Sequence, residues 1–309
     1  LGTPVRACYA RRDTTVVVEL ASAAGLTLLP AGPDRHTAAV ASTRGVGELM
    51  ARAIGHGARE LVIGLGGSAT TDGGLGLVQA LGATVTSRSD RPTSSGGLGL
   101  AGVVSIDLGP MVEFLADVSV TLATDVDNPL IGPDGAAAIY GPQKGADADL
   151  VRRLDRGLDH WGDVLRLATG VDVRDRPGAG AAGGAGAPLL AAGSATARPG
   201  IEVAMELTGF TDRVRDAHLV VVGEGSLDRQ SLRGKGPVGA ARLAQAGGAR
   251  VVAVVGSCQL SGPELAEAGI DRVYTLADIE PDLARCMAKA EPILHRVAAR
   301  LAADLVPVD

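Results

Sequence analysis

Residues 61–74 read LVIGLGGSATTDGG, an apolar run followed by a turn rich in glycine and hydroxyl side chains, and a helical pattern continues over residues 75–81. Glycines let backbone N–H groups approach an anion without a Cβ in the way, and a helix start adds unpaired N–H groups. The stretch therefore predicts a strand–turn–helix unit of an α/β protein with an anion pocket at its turn. A plain tight turn is the alternative, because neither a G-x-x-x-x-G-K-[ST] loop nor a clean G-x-G-x-x-G fingerprint is present.

Alternating strand and helix patterns extend over the whole chain. Short β-branched runs at 15–20, 61–65, 118–123, 218–223, 250–256 and 272–276 predict buried strands. Helical patterns cover 43–54, 74–81, 147–167, 239–245, 263–268 and one long closing helix over 281–305. This order predicts parallel βαβ units. A composition change near 195–203 divides the chain into predicted α/β domains at 1–200 and 201–309. The run PGAGAAGGAG at 177–186 is either a flexible linker or a glycine-rich helix start packed closely against a neighbour or a ligand.

Composition and charge exclude several classes of protein. The 309 residues are 46% hydrophobic but only 2% aromatic, and the net charge of −6 comes without a block of like charges. A nucleic-acid partner is therefore not expected. Three widely spaced cysteines give neither a disulfide framework nor a zinc site, and no apolar run approaches the roughly 18 residues that span a bilayer. We expect a cytoplasmic enzyme without a membrane partner.

Three further polar segments carry candidate chemistry. ATDVDNPL at 123–130 follows a predicted strand and offers Asp125 and Asp127, oxygen ligands that suit Mg²⁺, although an Asx-type turn stiffened by Pro129 is the alternative. GPQKG at 141–145 places Lys144 between glycines, where it screens phosphoryl charge or is a solvated loop lysine. VGEGSLDRQ at 222–230 and GKGP at 234–237 add carboxylates and a lysine at the tip of a strand, or form a charged loop of no chemical role.

These segments, taken in order, resemble the bacterial type I glycerate kinase family. The matching blocks are GGSATTDGG at 66–74, DVDNPL at 125–130, GPQKGA at 141–146, PGAGAAGG at 177–184 and GEGSLDRQSLRGK at 223–235, with ELASAAGL at 19–26 and STRGVGEL at 42–49 as further blocks. The likeness covers essentially the whole chain but begins part-way into the family pattern, so we expect the family's N-terminal segment to be missing. Smaller departures are Thr71, where the family often has Asn, and Ser226, where it often has Arg.

The resemblance implies a fold and a reaction. It implies two α/β domains, one of them Rossmann- or flavodoxin-like with a parallel sheet, and an active site in the cleft between them. The absent N-terminal segment would complete the Rossmann-like domain of residues 201–309. The implied reaction moves the γ-phosphoryl group of ATP, with Mg²⁺, to D-glycerate, and 2-phosphoglycerate is favoured over 3-phosphoglycerate as the product.

The same resemblance, together with the residue types, gives each candidate residue a role. The expected phosphate cradle is Gly66, Gly67, Ser68, Thr70 and Gly73, and the expected Mg²⁺ ligands are Asp125 and Asp127. The expected catalytic residues, which screen charge or bind the acceptor hydroxyl, are Asp72, Lys144, Glu224, Asp228 and Lys235. Two alternatives stay open: a truncated or non-catalytic homologue that binds a nucleotide or a small organic acid, and an NAD-dependent dehydrogenase. The oligomeric state is also open, with a homodimer as one option.

Overall fold

The computed structural model describes residues 1–88, 96–229, 231–233 and 236–305. The chain divides into two compact units, Leu1–Gly200 and Ile201–Asp309. Each unit combines helices with a sheet that is wholly or mainly parallel, which confirms the predicted α/β class. Within the described residues, no helix has the length and apolar character needed to cross a bilayer.

The strands of the first unit are β1 Ala10–Arg12, β2 Thr15–Glu19, β3 Glu60–Gly64, β4 Thr84–Ser87, β5 Val103–Asp107, β6 Ser119–Ala123 and β7 Thr196–Arg198. Five of them form the main sheet, in the order β1-β2-β3-β6-β7, and β4 and β5 form a separate antiparallel pair. Within the main sheet β1 is antiparallel to β2, whereas the remaining neighbours pair in parallel. The parallel pairing places the carboxyl ends of β3 and β6 side by side, with Gly64 opposite Ala123.

Helices cover this sheet and form one large core with it. They are α1 Ala21–Ala24, α2 Arg35–Val40, α3 Arg44–Gly55, α4 Leu75–Ala80, α5 Gly109–Phe114, α6 Ala136–Tyr140, α7 Ala148–Thr169 and α8 Ala187–Ala191. Helix α7 shows why the sequence folds this way. It buries Leu150, Leu154, Leu158 and Trp161, which recur every three or four residues and so share one helix face.

The glycine-rich segment, residues 177–184, is packed rather than free. All residues from 178 to 191 are buried. A Cβ on Gly180 would lie 2.1 Å from the carbonyl oxygen of Pro129, and one on Gly183 would lie 2.0 Å from that of Thr70. Only glycine allows backbones this close. Of the two alternatives from the sequence, close packing is therefore the one observed.

The strands of the second unit are β8 Leu219–Leu227, β9 Arg250–Cys258 and β10 Arg272–Thr275, and they form a parallel sheet with the order β10-β9-β8. Its helices are α9 Gly200–Thr208, α10 Phe210–Val214, α11 Gly236–Ala246, α12 Gly262–Glu267, α13 Leu283–Ala288 and α14 Ala290–Leu305. Helix α9 begins at the boundary between the units.

The single closing helix predicted over 281–305 is wrong. The helix is interrupted at Lys289, where φ is −125° and ψ is 34°. Pro292 has no backbone N–H and is tolerated only in the first turn of a helix. The chain therefore ends α13 and starts α14 two residues before Pro292.

Candidate active site

The glycine loop, residues 66–74, leaves the carboxyl end of β3, and its first two residues face solvent. Gly66 and Gly67 are exposed, and neither backbone N–H donates a hydrogen bond to any described residue. Gly67 needs to be glycine, because its φ is +68° and a Cβ there would lie 3.2 Å from that of Ala21. Gly66 is outside the left-handed range and has no neighbour within 4 Å of a built Cβ. The fold therefore does not require glycine at position 66. The missing Cβ instead leaves open space beside the backbone.

The middle of the glycine loop is held from inside the protein by Lys144. Its Nζ donates to Ser68 Oγ at 2.9 Å and to the carbonyl oxygen of Thr70 at 2.6 Å. Lys144 is only 2% exposed, and Ser68 and Thr70 are buried as well. Burial lowers the pKa of the Lys144 ammonium to about 8, although the nearby charge of Asp72 acts in the opposite direction. Lys144 therefore places a cation behind the loop and is not the solvated loop lysine of the alternative interpretation.

The end of the glycine loop is fixed by Asp72, which is completely buried. Its Oδ2 accepts from the backbone N–H of Thr43 at 2.8 Å and from the Thr43 hydroxyl at 2.9 Å. The N–H groups of Gly74 and Gly76 also point to this carboxylate, each at 3.3 Å. Burial raises the pKa of Asp72 while these donors act to lower it. The carboxylate is thus occupied by protein donors at the start of α4.

The first turn of α4 cannot supply the unpaired N–H groups that the sequence suggested. Gly74 and Gly76 donate to Asp72, and the N–H of Leu77 donates to the Thr43 hydroxyl at 2.9 Å. The exposed residues of the loop are Gly66 and Gly67, so its solvent-facing N–H groups lie before the helix rather than in it.

Gly73, expected in the phosphate cradle, has a packing role in the structure. Its N–H donates to the carbonyl oxygen of Gly183 at 3.0 Å, and its own carbonyl accepts from the indole N–H of Trp161 at 2.8 Å. A Cβ at Gly73 would lie 2.5 Å from the Trp161 ring. Ser68, Thr70 and Gly73 are all buried, so the exposed part of the predicted cradle is the pair Gly66 and Gly67.

Two carboxylates lie at the same edge of the sheet as this exposed pair. Asp125 and Asp127 follow the end of β6, and both are exposed. The loops are joined at their bases, where the N–H of Leu65 donates to the carbonyl oxygen of Ala123 at 3.1 Å. One oxygen of Asp125 accepts from the N–H of Gly200 at 2.8 Å. The glycine loop and two side chains with carboxylate oxygens thus leave adjacent strands in the same direction.

Asn128 holds the loop after β6 that carries Asp125 and Asp127. Its Oδ1 accepts from the Tyr140 hydroxyl at 2.5 Å, and its Nδ2 donates to the carbonyl oxygen of Asp134 at 2.8 Å. Burial and, to a smaller extent, the charge of Asp127 raise the pKa of Tyr140. The hydroxyl therefore stays protonated and keeps donating.

The second unit carries the remaining predicted site residues. Glu224 lies on β8, and its Oε1 is buried with no hydrogen-bond partner among the described residues. Asp228 follows the end of β8 and forms a turn with Ser231, whose N–H donates to Asp228 Oδ1 at 3.3 Å. Lys235 lies outside the described residues. No cluster of three or more potential metal ligands occurs in the described part of the chain.

Sequence reasoning missed Thr43 and Trp161, which both contact the glycine loop. Thr43 looks like the start of α3, and its contact with Asp72 spans 29 residues, so no local pattern reveals it. Trp161 is the one tryptophan of the chain and lies on the apolar face of α7. Its position in the helical pattern could have predicted that it packs in the core.

Comparisons with known proteins agree with this architecture. The family model described as the glycerate kinase family matches residues 1–306. A glycerate kinase from Bacillus subtilis is 39% identical over 99% of this chain and 80% of its own, and a glycerate 2-kinase from Escherichia coli is 38% identical over 94% and 76%. A crystal structure of a candidate glycerate kinase 2 from Salmonella typhimurium superposes with a TM-score of 0.76 at 35% identity, covering 97% of this chain and 80% of that one.

These matches confirm the prediction of a kinase and imply ATP as the phosphoryl donor. The chain belongs to the glycerate kinase family.

Proposed function

We propose that the protein transfers the γ-phosphoryl group of ATP to a hydroxyl of D-glycerate. The observation that carries the proposal is the pair of exposed glycines, Gly66 and Gly67. Their N–H groups have no hydrogen-bond partner among the described residues, and they lie at the same sheet edge as Asp125 and Asp127. Relatives named as glycerate kinases support the choice of acceptor, and the order of the motif blocks favours the bacterial type I branch. The name of the Escherichia coli relative, a glycerate 2-kinase, favours phosphorylation at the 2-hydroxyl.

Fixed dipoles and charges supply most of the catalysis in this proposal. The two free N–H groups donate to phosphate oxygens, and the buried Lys144 ammonium adds positive charge from behind the loop. Charge held in place before the reaction stabilises the transferring group without reorganisation, and a buried charge is screened less than an exposed one. Ser68 and Thr70 keep the loop in shape by accepting from Lys144. We assign Asp72 the same supporting role, since its oxygens are already occupied.

We propose Asp125 and Asp127 as the ligands for Mg²⁺. The donor set fits: both side chains are exposed carboxylates, and Asp125 uses one oxygen for Gly200, which leaves the other available. Mg²⁺ typically binds one or two carboxylates and takes its other ligands from phosphates and water. When bound, the ion would neutralise charge on the phosphate oxygens.

We propose that Glu224 and Asp228 bind or deprotonate the acceptor hydroxyl. Glu224 has the stronger support, because its buried Oε1 has no donor among the described residues. Such an oxygen is costly unless a ligand supplies a donor. Lys235 stays a prediction from the sequence, as a cation that screens the transferred group.

An ADP-release assay with D-glycerate, and with glycerol as the matched acceptor lacking the carboxylate, tests the proposal. We expect ADP release that depends on D-glycerate and a much lower rate with glycerol. Asp125→Ala and Lys235→Ala should each reduce turnover. Full turnover in both variants would show that the proposed site is misplaced, and no D-glycerate-dependent release in the wild type would exclude the proposed reaction.

A further inference from the structure

Thr43 occupies the N-cap position of α3, yet its hydroxyl does not cap that helix. Threonine at this position ordinarily accepts a hydrogen bond from the first turn of its own helix. Here the hydroxyl donates to Asp72 Oδ2 and accepts from the N–H of Leu77, both at 2.9 Å. Thr43 is completely buried, so water does not replace the missing cap contact at its side chain. The hydroxyl at the start of α3 thus binds groups at the start of α4.

The contacts of Thr43 hold the point where the glycine loop enters α4. Thr43 contributes two hydrogen bonds to Asp72, one from its N–H and one from its hydroxyl. Asp72 in turn accepts from Gly74 and Gly76. Because the same hydroxyl also binds Leu77, it joins the carboxylate to the first turn of α4.

The two ends of the exposed glycine pair are therefore fixed in different ways. On the β3 side, Leu65 is bound to the neighbouring strand through Ala123. On the other side, Lys144 holds Ser68 and Thr70, and the chain then continues through Thr71 to Asp72. A shift of Asp72 would move this second support, and with it the direction of the free N–H groups.

We propose that Thr43 is a positioning residue that acts through Asp72 to hold the glycine loop in the conformation that binds the triphosphate of ATP. This inference rests on the proposed function, because it takes the ligand of Gly66 and Gly67 to be phosphate. Thr43 does not touch the ligand itself. Its loss changes ATP binding by changing the shape of the loop, while binding of the acceptor is affected less.

The test compares three variants of the protein in steady-state kinetics and in calorimetric titration with ATP. Thr43→Val keeps the size of the side chain but removes both hydroxyl bonds, whereas Thr43→Ser retains the hydroxyl. Thr169→Val is the matched control: the Thr169 hydroxyl also donates once, to Leu165, and accepts once, from Val171, but at the far end of α7. We expect Thr43→Val to weaken ATP binding by at most roughly 100-fold, because the energy of the hydrogen bond lost to the Asp72 carboxylate limits how far disorder of the loop can reduce the affinity.

The KM for D-glycerate should change much less than that for ATP, Thr43→Ser should restore most of the affinity, and Thr169→Val should resemble the wild type. General destabilisation would not separate the two substrates in this way. Wild-type affinity for ATP in Thr43→Val, or equal effects on both substrates, would overturn the role of Thr43. If the wild type binds ATP without phosphorylating D-glycerate while Thr43→Val binds it weakly, the proposed reaction fails and the role of Thr43 stands. If the wild type does not bind ATP, both fail.

Discussion

Substitution of Gly66 by alanine tests whether glycine is needed at this position for folding or for binding phosphate. A Cβ at this position would meet no atom within 4 Å, and φ is not in the left-handed range. The folded protein should accept the methyl group without strain. Because alanine restricts the unfolded chain, we expect unfolding to become about 0.4–1 kcal/mol less favourable.

Although the substitution should stabilise the fold, we expect it to weaken the binding of ATP. The added methyl group would occupy the exposed space through which phosphate approaches the two free N–H groups. Loss of one hydrogen bond to a charged phosphate costs about 1.5–3 kcal/mol, so the KM for ATP should rise roughly 10- to 100-fold. Gly66→Ala should therefore be at least as stable as the wild type and yet bind ATP poorly.

Gly102→Ala is the matched control, since Gly102 also lies outside the left-handed range with no neighbour within 4 Å of a built Cβ. Denaturant unfolding and ADP-release kinetics, measured on both variants, provide the comparison. Gly102→Ala should leave the KM for ATP unchanged. The reasoning would be refuted if Gly66→Ala also kept a KM for ATP within about twofold of the wild type. Such a result would mean that this loop makes no contact with the phosphates that contributes to the binding of ATP.

Three further predictions concern stability and are tested by denaturant unfolding. Thr71→Val should be neutral or stabilising, because Thr71 Oγ1 is buried without a hydrogen-bond partner among the described residues; a clear loss would reveal a partner. Gly183→Ala should destabilise far more than Gly193→Ala. Both have positive φ, but only the first would press a Cβ against Thr70, and similar losses would contradict the close packing. The folded-state pKa of Lys144, about 8, lies below its ordinary value of 10.5, so the unfolded state binds more protons between these values and stability rises with pH there. Relative to Lys144→Met, the wild type should gain about 2–3 kcal/mol between pH 7 and pH 10, and a constant difference would exclude the buried ammonium.

Strands were predictable wherever burial on both sides of the sheet required an unbroken apolar run. Val62 and Ile63 in β3, and Val251 and Val252 in β9, are such positions. The glycine loop could also be located, because its glycines mark the place where a strand turns into a helix.

What the sequence could not show was the direction in which each polar side chain of the site faces. Lys144 is separated by more than 70 residues from the atoms it binds in the glycine loop, and Asp72 by 29 from Thr43. Such contacts depend on the tertiary packing of helices whose relative positions no local pattern encodes. Sequence reasoning therefore located the glycine loop, while the structure separated its exposed glycines from the buried groups that support them.

The most direct test of the proposed function is phosphorus NMR of the protein incubated with Mg²⁺, ATP and D-glycerate. We predict that the γ-phosphate signal of ATP decreases while one phosphomonoester signal, that of 2-phosphoglycerate, increases in equal amount with ADP. An increase of inorganic phosphate alone, or ATP signals that stay constant, would contradict the proposed phosphoryl transfer.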